Sequence, residues 1–80
     1  MELTSQEIKA IKAALELLGY YDVAESEDTM QEWLADDTIS ICTCRSGRTA
    51  AGIITDSKEA CVYVDTLEQL TDVQIERELL

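Results

Sequence analysis

Residues 38–64 read TISICTCRSGRTAAGIITDSKEACVYV, and this stretch decides the fold because its apolar residues recur with a period of two. In TISICTC the isoleucines fall on one side of a strand, while Ser40 and the two cysteines fall on the other. The turn RSGR, in which Gly47 supplies a positive φ, separates this strand from TAAGIIT, and DSKE separates TAAGIIT from ACVYV. The stretch therefore predicts an antiparallel meander of three strands.

An amphipathic helix is predicted near the start of the chain. Thr4 and Glu7 in TSQE form a capping box, in which each residue satisfies the other's backbone N–H. Apolar residues then recur at helical spacing as far as Leu18, and Gly19 provides a helix stop. The pattern predicts a helix over residues 5–18.

A second, shorter helix is predicted after residues 26–29, which offer several N-cap candidates. Met30, Trp33 and Leu34 are spaced i, i+3 and i+4, so they give this helix one apolar side. The segment before it, residues 20–23, does not favour one local structure over another.

The C-terminal residues 66–80, TLEQLTDVQIERELL, predict a last helix. It is either a single helix capped by Asp65 or Thr66, or a turn followed by a helix capped at Thr71. The expected fold class is α+β, with a three-stranded antiparallel β-meander packed against helices in the order α-α-β-β-β-α. We expect one domain over residues 1–80, with the helices on one face of the sheet.

Acidity is the unusual property of the composition. The chain has 17 acidic residues against 6 basic ones, a formal net charge of −11. A protein that binds nucleic acid directly needs the opposite sign, because Lys and Arg make the phosphate contacts. We therefore expect no direct binding to DNA, RNA or an anionic membrane surface.

Residues that carry catalytic or metal chemistry are scarce. The chain has no histidine, which removes the commonest general base and rules out a Ser-His-Asp or Cys-His arrangement. Cys42, Cys44 and Cys61 would share one face of the sheet, but a structural zinc site needs a fourth ligand. The acids around residues 22–28 lack the central glycine of a calcium-binding loop. We predict a non-enzymatic protein with no cofactor and no metal site.

The cellular compartment follows from what the sequence lacks. No stretch approaches the roughly 20 apolar residues of a membrane span. The start MELTSQEIKA has neither the basic region nor the apolar run of a signal peptide. The odd number of cysteines argues against a disulfide framework. We expect a cytoplasmic protein with reduced cysteines.

The stretch 22–37 concentrates the acids, with seven acidic residues and no basic one. Its members are Asp22, Glu25, Glu27, Asp28, Glu32, Asp36 and Asp37. Carboxylates held on a rigid scaffold would present a Lys- and Arg-lined groove with a field comparable to that of DNA phosphates. These residues, with Trp33, are therefore the candidate partner-binding residues for a basic nucleic-acid-binding protein.

Two alternatives stand beside this hypothesis. In the first, the acidity serves solubility alone, since an acidic run is usually a solvated face. In the second, the chain is a structural or regulatory interaction module, a homodimer or an antitoxin-like partner, bound through Trp33 and the apolar C-terminus ERELL. Trp33 itself fits either the core or an interface anchor.

In size, acidity and compact α/β character, the chain resembles small phage-encoded inhibitors, notably the anti-CRISPR proteins that act as DNA mimics. The resemblance implies a protein that binds the basic DNA-binding channel of a CRISPR effector complex and blocks target recognition. It also implies that residues 22–37 would engage Arg and Lys on a Cas effector subunit, in the cytoplasm of a bacterial host. A monomer and a homodimer are both compatible with this function.

Overall fold

The computed structural model describes residues 3–80 and shows four helices and three strands in that part of the chain. They are α1 (Ser5–Leu17), α2 (Tyr21–Ala24), α3 (Glu27–Ala35), β1 (Ile39–Thr43), β2 (Thr49–Ile54), β3 (Glu59–Tyr63) and α4 (Asp72–Leu79). The α+β class and the predicted order of helices, strands and a final helix are confirmed. The one addition is α2, a single turn of helix in the segment for which the sequence favoured no structure.

Both ends of α1 have the predicted caps. The Thr4 hydroxyl accepts a hydrogen bond from the Glu7 backbone N–H at 3.1 Å, and the Glu7 carboxylate accepts one from the Thr4 N–H at 2.9 Å. At the other end Gly19 adopts φ +85°. The Tyr20 N–H then donates to the Leu15 carbonyl at 2.9 Å, which closes a Schellman motif. The helix ends one residue earlier than predicted.

The second predicted helix is α3, and its caps orient the acidic segment. Ser26 is the N-cap, and its hydroxyl accepts a hydrogen bond from the Thr29 N–H at 3.3 Å. At the C-terminal end the Thr38 N–H donates to the Trp33 carbonyl at 2.9 Å. This second Schellman motif has Asp37 at φ +65° in the position where glycine is usual.

The sheet is an antiparallel meander in the order β1-β2-β3, as predicted. Ala51 in the central strand pairs with Ile41 of β1 and with Val62 of β3. Gly47 adopts φ +91° in the turn between β1 and β2, so its predicted role is also confirmed.

Helices cover both faces of the sheet. The α1, α2 and α3 helices pack on the first face, whose fully buried large side chains are Ile11, Leu15, Met30, Ile39, Ile53 and Val62. A second core on the opposite face contains Cys44, Ala50, Tyr63 and Leu70, with Cys61 and two residues of α4, Ile75 and Leu79, packed against it. The expectation that all helices lie on one face is therefore wrong. Ala50 and Tyr63 give the sheet a second apolar side, which α4 covers.

The segment between β3 and α4 is not helical, so the alternative with a turn and a later cap is the correct one. Thr71 caps α4 in a capping box with Gln74. Before it, residues 65–70 run along the outer edge of β3. The Tyr63 N–H donates to the Glu68 carbonyl at 2.9 Å, and the Leu70 N–H donates to the Cys61 carbonyl at 2.8 Å.

None of the helices in residues 3–80 combines the length and the apolar character that a bilayer crossing requires.

Candidate functional site

The seven candidate acids form what we call the acidic surface, and every one of them is exposed. It consists of Asp22 in α2, Glu25 at its C-terminal end, Glu27, Asp28 and Glu32 in α3, and Asp36 and Asp37 just after α3. All seven thus lie within one continuous segment of the chain, residues 22–37, which contains α2 and α3.

The apolar residues of α2 and α3 anchor this surface to the core. Ala24 and Met30 are buried, with 3% and 1% of their surface exposed. Val23 and Leu34 are half-buried and pack against the same core. Burying one side chain of the size of methionine contributes about 1.5–3 kcal/mol, so the two helices are held by more than local propensity. The carboxylates therefore project from a fixed frame.

Trp33 lies between the core and the surface. Its side chain is half-buried and packs against the first core, and its ring meets the Tyr20 ring edge-on at a centroid distance of 5.4 Å. Thr38, Ile54 and the exposed part of Trp33 line a shallow groove next to α3. Trp33 thus contributes to packing and also keeps part of its side chain accessible.

The two acids after α3 are held more firmly than the others. The Asp36 carboxylate accepts hydrogen bonds from the Thr38 hydroxyl at 2.8 Å and from the Thr38 N–H at 3.2 Å. The backbone of Asp37 is fixed in the left-handed region by the helix C-cap. Glu27 and Asp28 lie in the first turn of α3, where the helix dipole stabilises negative charge.

No basic side chain neutralises the acidic surface within residues 3–80. The single ion pair in this part of the chain joins Arg48 to Asp65 at 2.8 Å, away from the acidic surface in sequence. Lys58 donates instead to the Leu18 carbonyl at 2.8 Å and lies 5.3 Å from the Tyr20 ring. The field of the acidic surface is therefore not compensated by the protein's own ion pairs.

A second polar cluster, around Glu78, was not predicted. Glu78 is buried, with 8% of its surface exposed, and its carboxylate accepts hydrogen bonds from the Ser46 hydroxyl at 2.6 Å and the Tyr63 hydroxyl at 3.3 Å. The Ser46 hydrogen bond is the main reason that the pKa of Glu78 lies below its usual range. The signal was present in the sequence, because Glu78 is three residues after Ile75 and so shares its buried helix face.

The Glu78 cluster extends to Arg48, whose guanidinium lies 3.5 Å from the centroid of the Tyr63 ring. Arg45 adds two further contacts to the C-terminus, because its N–H donates to the Glu78 carbonyl at 3.0 Å and its guanidinium donates to the Leu80 carbonyl. These contacts join α4 to the β1–β2 turn and so stabilise the fold.

The three cysteines lie on the α4 side of the sheet, as their alternation predicted, and all are reduced. Burial raises the pKa of the Cys44 thiol, and Glu78 raises it further. Burial also raises the pKa of the Cys61 thiol. Burial therefore disfavours the thiolate, which is the reactive form, at both positions. In the described residues, no group of three or more His, Cys, Asp or Glu side chains is arranged to hold a metal ion.

An exposed apolar groove lies between the C-terminal half of α1 and the segment before α4. Leu17 and Tyr21 are 53% and 62% exposed, and they line this groove with Ala13 and Leu67. Leu67 adopts φ +65°, an unusual conformation for a bulky residue. The sequence did not predict this groove, because it left open whether residues 66–70 form a helix or a turn.

Comparisons of the chain with protein-family models, with curated proteins and with solved structures found no match.

Proposed function

We propose that this protein is a non-enzymatic inhibitor that mimics DNA, and that its acidic surface occupies the DNA-binding site of a CRISPR effector complex in a bacterial cytoplasm. The observation that carries the proposal is the acidic surface itself. Seven exposed carboxylates lie on or directly beside two helices that are anchored to the core, and none has an ion-pair partner within residues 3–80. A solvated tail would not hold its charges in such a fixed arrangement.

The density of charge along α3 supports the proposal. At roughly 1.5 Å per residue, a nine-residue helix spans about 13 Å. One strand of a duplex places a phosphate about every 3.4 Å, or about four on that length. Glu27, Asp28 and Glu32 in α3, together with Asp36 at its C-cap, are four carboxylates over nearly the same span. The helix and its C-cap therefore present a charge density close to that of a single DNA strand.

The apolar groove favours a second candidate function, an interaction module that binds a partner through Leu17 and Tyr21. The alternative interface at Trp33 and the C-terminus ERELL is smaller than expected. Leu79 packs against the second core and Glu78 is buried, so within ERELL only Leu80 is an exposed apolar side chain.

A competition assay tests the mimicry proposal. A panel of purified CRISPR effector complexes binds a fluorescent target duplex, and the protein is added at increasing concentration in low salt. We expect it to displace the duplex from at least one complex. Raising the salt should weaken this inhibition, because the surface charges become screened within about 10 Å at 0.1 M.

Charge-reversal variants show which surface of the protein displaces the duplex. The test variant is Glu27→Lys, Asp28→Lys and Glu32→Lys, three exposed positions outside the C-cap of α3. The matched control makes the same change in net charge at Glu59, Glu68 and Glu76, which are also exposed.

Three surface ion pairs at about 0.5–1 kcal/mol each predict at least a tenfold loss of inhibition in the test variant, with a much smaller loss in the control. Equal inhibition by the two variants would rule out this surface. Displacement that is absent from every complex in the panel would rule out the proposed target.

A further inference from the structure

The two edges of the sheet differ in whether another segment of the chain covers them. The outer edge of β3 is covered, because the N–H groups of Tyr63 and Leu70 and the carbonyls of Cys61 and Glu68 form hydrogen bonds along it. On the other side, β1 pairs only with β2 among residues 3–80. The sheet therefore has one protected edge and one open edge.

The register shows which backbone groups of β1 are open. The Ile54 N–H donates to the Thr38 carbonyl at 2.9 Å, and the Cys44 N–H donates to the Arg48 carbonyl at 2.7 Å. In an antiparallel ladder these hydrogen bonds recur at every second residue. The backbone N–H and C=O groups of the even-numbered residues of β1 therefore point toward β2. The N–H and C=O groups of Ile39, Ile41 and Thr43 then point away from the sheet, and they have no backbone partner in the described residues.

β1 also lacks the features that normally protect an edge strand. Its sequence, ISICT, contains no charged residue and no proline, and its register with β2 runs without a bulge. The charges instead lie beyond its ends. Asp36 and Asp37 precede the strand, and Arg45 follows it.

We propose that two copies of this protein pair antiparallel through β1 and form a continuous six-stranded sheet. A two-fold axis at Ile41 places the end of each strand that follows Asp37 beside the end of its partner that precedes Arg45, so the acidic end of each strand meets the basic end of its partner. The outward groups of Ile39, Ile41 and Thr43 would then form about six hydrogen bonds between the chains. A parallel arrangement would bring the acids of the two copies together. This match at both ends points to a second copy of the chain as the partner.

The proposal concerns the edge of β1, which adjoins the acidic surface of the proposed function at Asp36 and Asp37, and it responds to salt in the opposite direction. Each copy carries a net charge of −11, so long-range repulsion opposes association. The screening length falls from about 30 Å at 0.01 M salt to about 3 Å at 1 M. Added salt should therefore strengthen the dimer, while it weakens DNA mimicry.

Sedimentation equilibrium of the full chain tests the pairing at low and at high salt. We expect the molar mass to rise from 8.9 kDa toward twice that value with concentration, and at lower concentration in high salt. Thr43→Pro removes an N–H that faces away from β2 at an exposed position, so it spares the intramolecular ladder. It should weaken the dimer by at least about tenfold.

Thr43→Ser is the control, because it retains the N–H, and it should associate like the unmodified chain. A monomer under all conditions up to about 1 mM, where associations weaker than about −4 kcal/mol are lost, would overturn the proposal. Unchanged association of a folded Thr43→Pro variant would overturn it too.

Cross-linking gives a second readout that does not depend on the proline variant. In the proposed register, Ser40 of one copy lies opposite Cys42 of the other in a pair without hydrogen bonds, where Cα atoms are about 4.5 Å apart. That separation suits a disulfide. Ser40→Cys in a Cys61→Ser background should therefore form a covalent dimer on mild oxidation, whereas Cys61→Ser alone should form much less. Equal yields from the two variants would refute the register and the proposal with it.

Discussion

Replacing Asp37 by glycine should stabilise the protein, although it removes a residue of the acidic surface. Asp37 is fixed at φ +65° because the Thr38 N–H must reach the Trp33 carbonyl to close the C-cap of α3. A residue with a Cβ pays about 1–2 kcal/mol in this conformation, with aspartate toward the lower end because its short polar side chain tolerates it. Glycine avoids that strain.

The expected gain is smaller than the strain because glycine has a more flexible unfolded chain. That flexibility costs about 0.4–1 kcal/mol, which leaves a net stabilisation of up to about 0.6 kcal/mol for Asp37→Gly. Since about 1 kcal/mol shifts the Tm of a domain of this size by about 4–8 °C, the Tm should rise by up to about 2–5 °C. Thermal and urea denaturation at neutral pH measure both quantities.

Two further variants separate conformation from charge. Asp37→Asn and Asp37→Ala make the same change in net charge as Asp37→Gly, but asparagine tolerates the left-handed region and alanine does not. We expect Asp37→Ala to be less stable than Asp37→Gly by about 1 kcal/mol, with Asp37→Asn between them. If the alanine and glycine variants are equally stable, backbone strain at this position is not the cause, and the reasoning is refuted.

Two predictions concern the α4 side of the sheet. Because the Ser46 hydrogen bond lowers the folded-state pKa of Glu78 below its unfolded value, the ionised carboxylate stabilises the fold above the unfolded pKa, and this contribution is lost as the pH falls through the folded pKa. Urea denaturation of the unmodified chain and of Glu78→Gln between neutral and acid pH measures this contribution. The difference between their free energies of unfolding should shrink as the pH falls, and a difference independent of pH would contradict the prediction. A Cβ at Gly52 would lie 3.2 Å from the Cys61 sulfur, so Gly52→Ala should destabilise the protein by about 1 kcal/mol. The same change in a Cys61→Ala background should be neutral or stabilising in thermal denaturation, and an equal loss in both backgrounds would show that this contact is not responsible.

Local rules predicted the elements that depend on short stretches of sequence. The capping box at Thr4, the helix stop at Gly19 and the turn at Gly47 all involve residues within about four positions of each other, and all three are present. The strands were predicted for the same reason, because a period of two does not depend on the rest of the fold.

Features that depend on packing between distant residues were not predictable in the same way. Leu67 and Leu70 have helical spacing, but their backbone serves as a partner for the edge of β3, and that tertiary role outweighs helix propensity. The second apolar face was also missed, because Cys44 and Ala50 look weakly apolar until Tyr63 and Leu79 are placed beside them.

The candidate site likewise has a part that the sequence could predict and a part that it could not. The acidic surface was predictable because charge and exposure can be estimated from the sequence alone. The absence of ion pairs to it within residues 3–80, and the hydrogen bonds that hold Asp36, depend on where Lys58 and Thr38 lie in the fold. The contrast between the open edge of β1 and the covered edge of β3 was not predictable, because it depends on where residues 65–70 lie in the fold.

The position of Cys44 under α4 has a kinetic consequence. Cys44 is 4% exposed and lies in the core that α4 covers, so a thiol reagent reaches it only when that helix breathes. Cys42 on the same face is half-buried and accessible without such an opening. Cys44 should therefore react slowly and Cys42 rapidly with the same thiol reagent. The ratio of the two labelling rates measures how often α4 separates from the sheet.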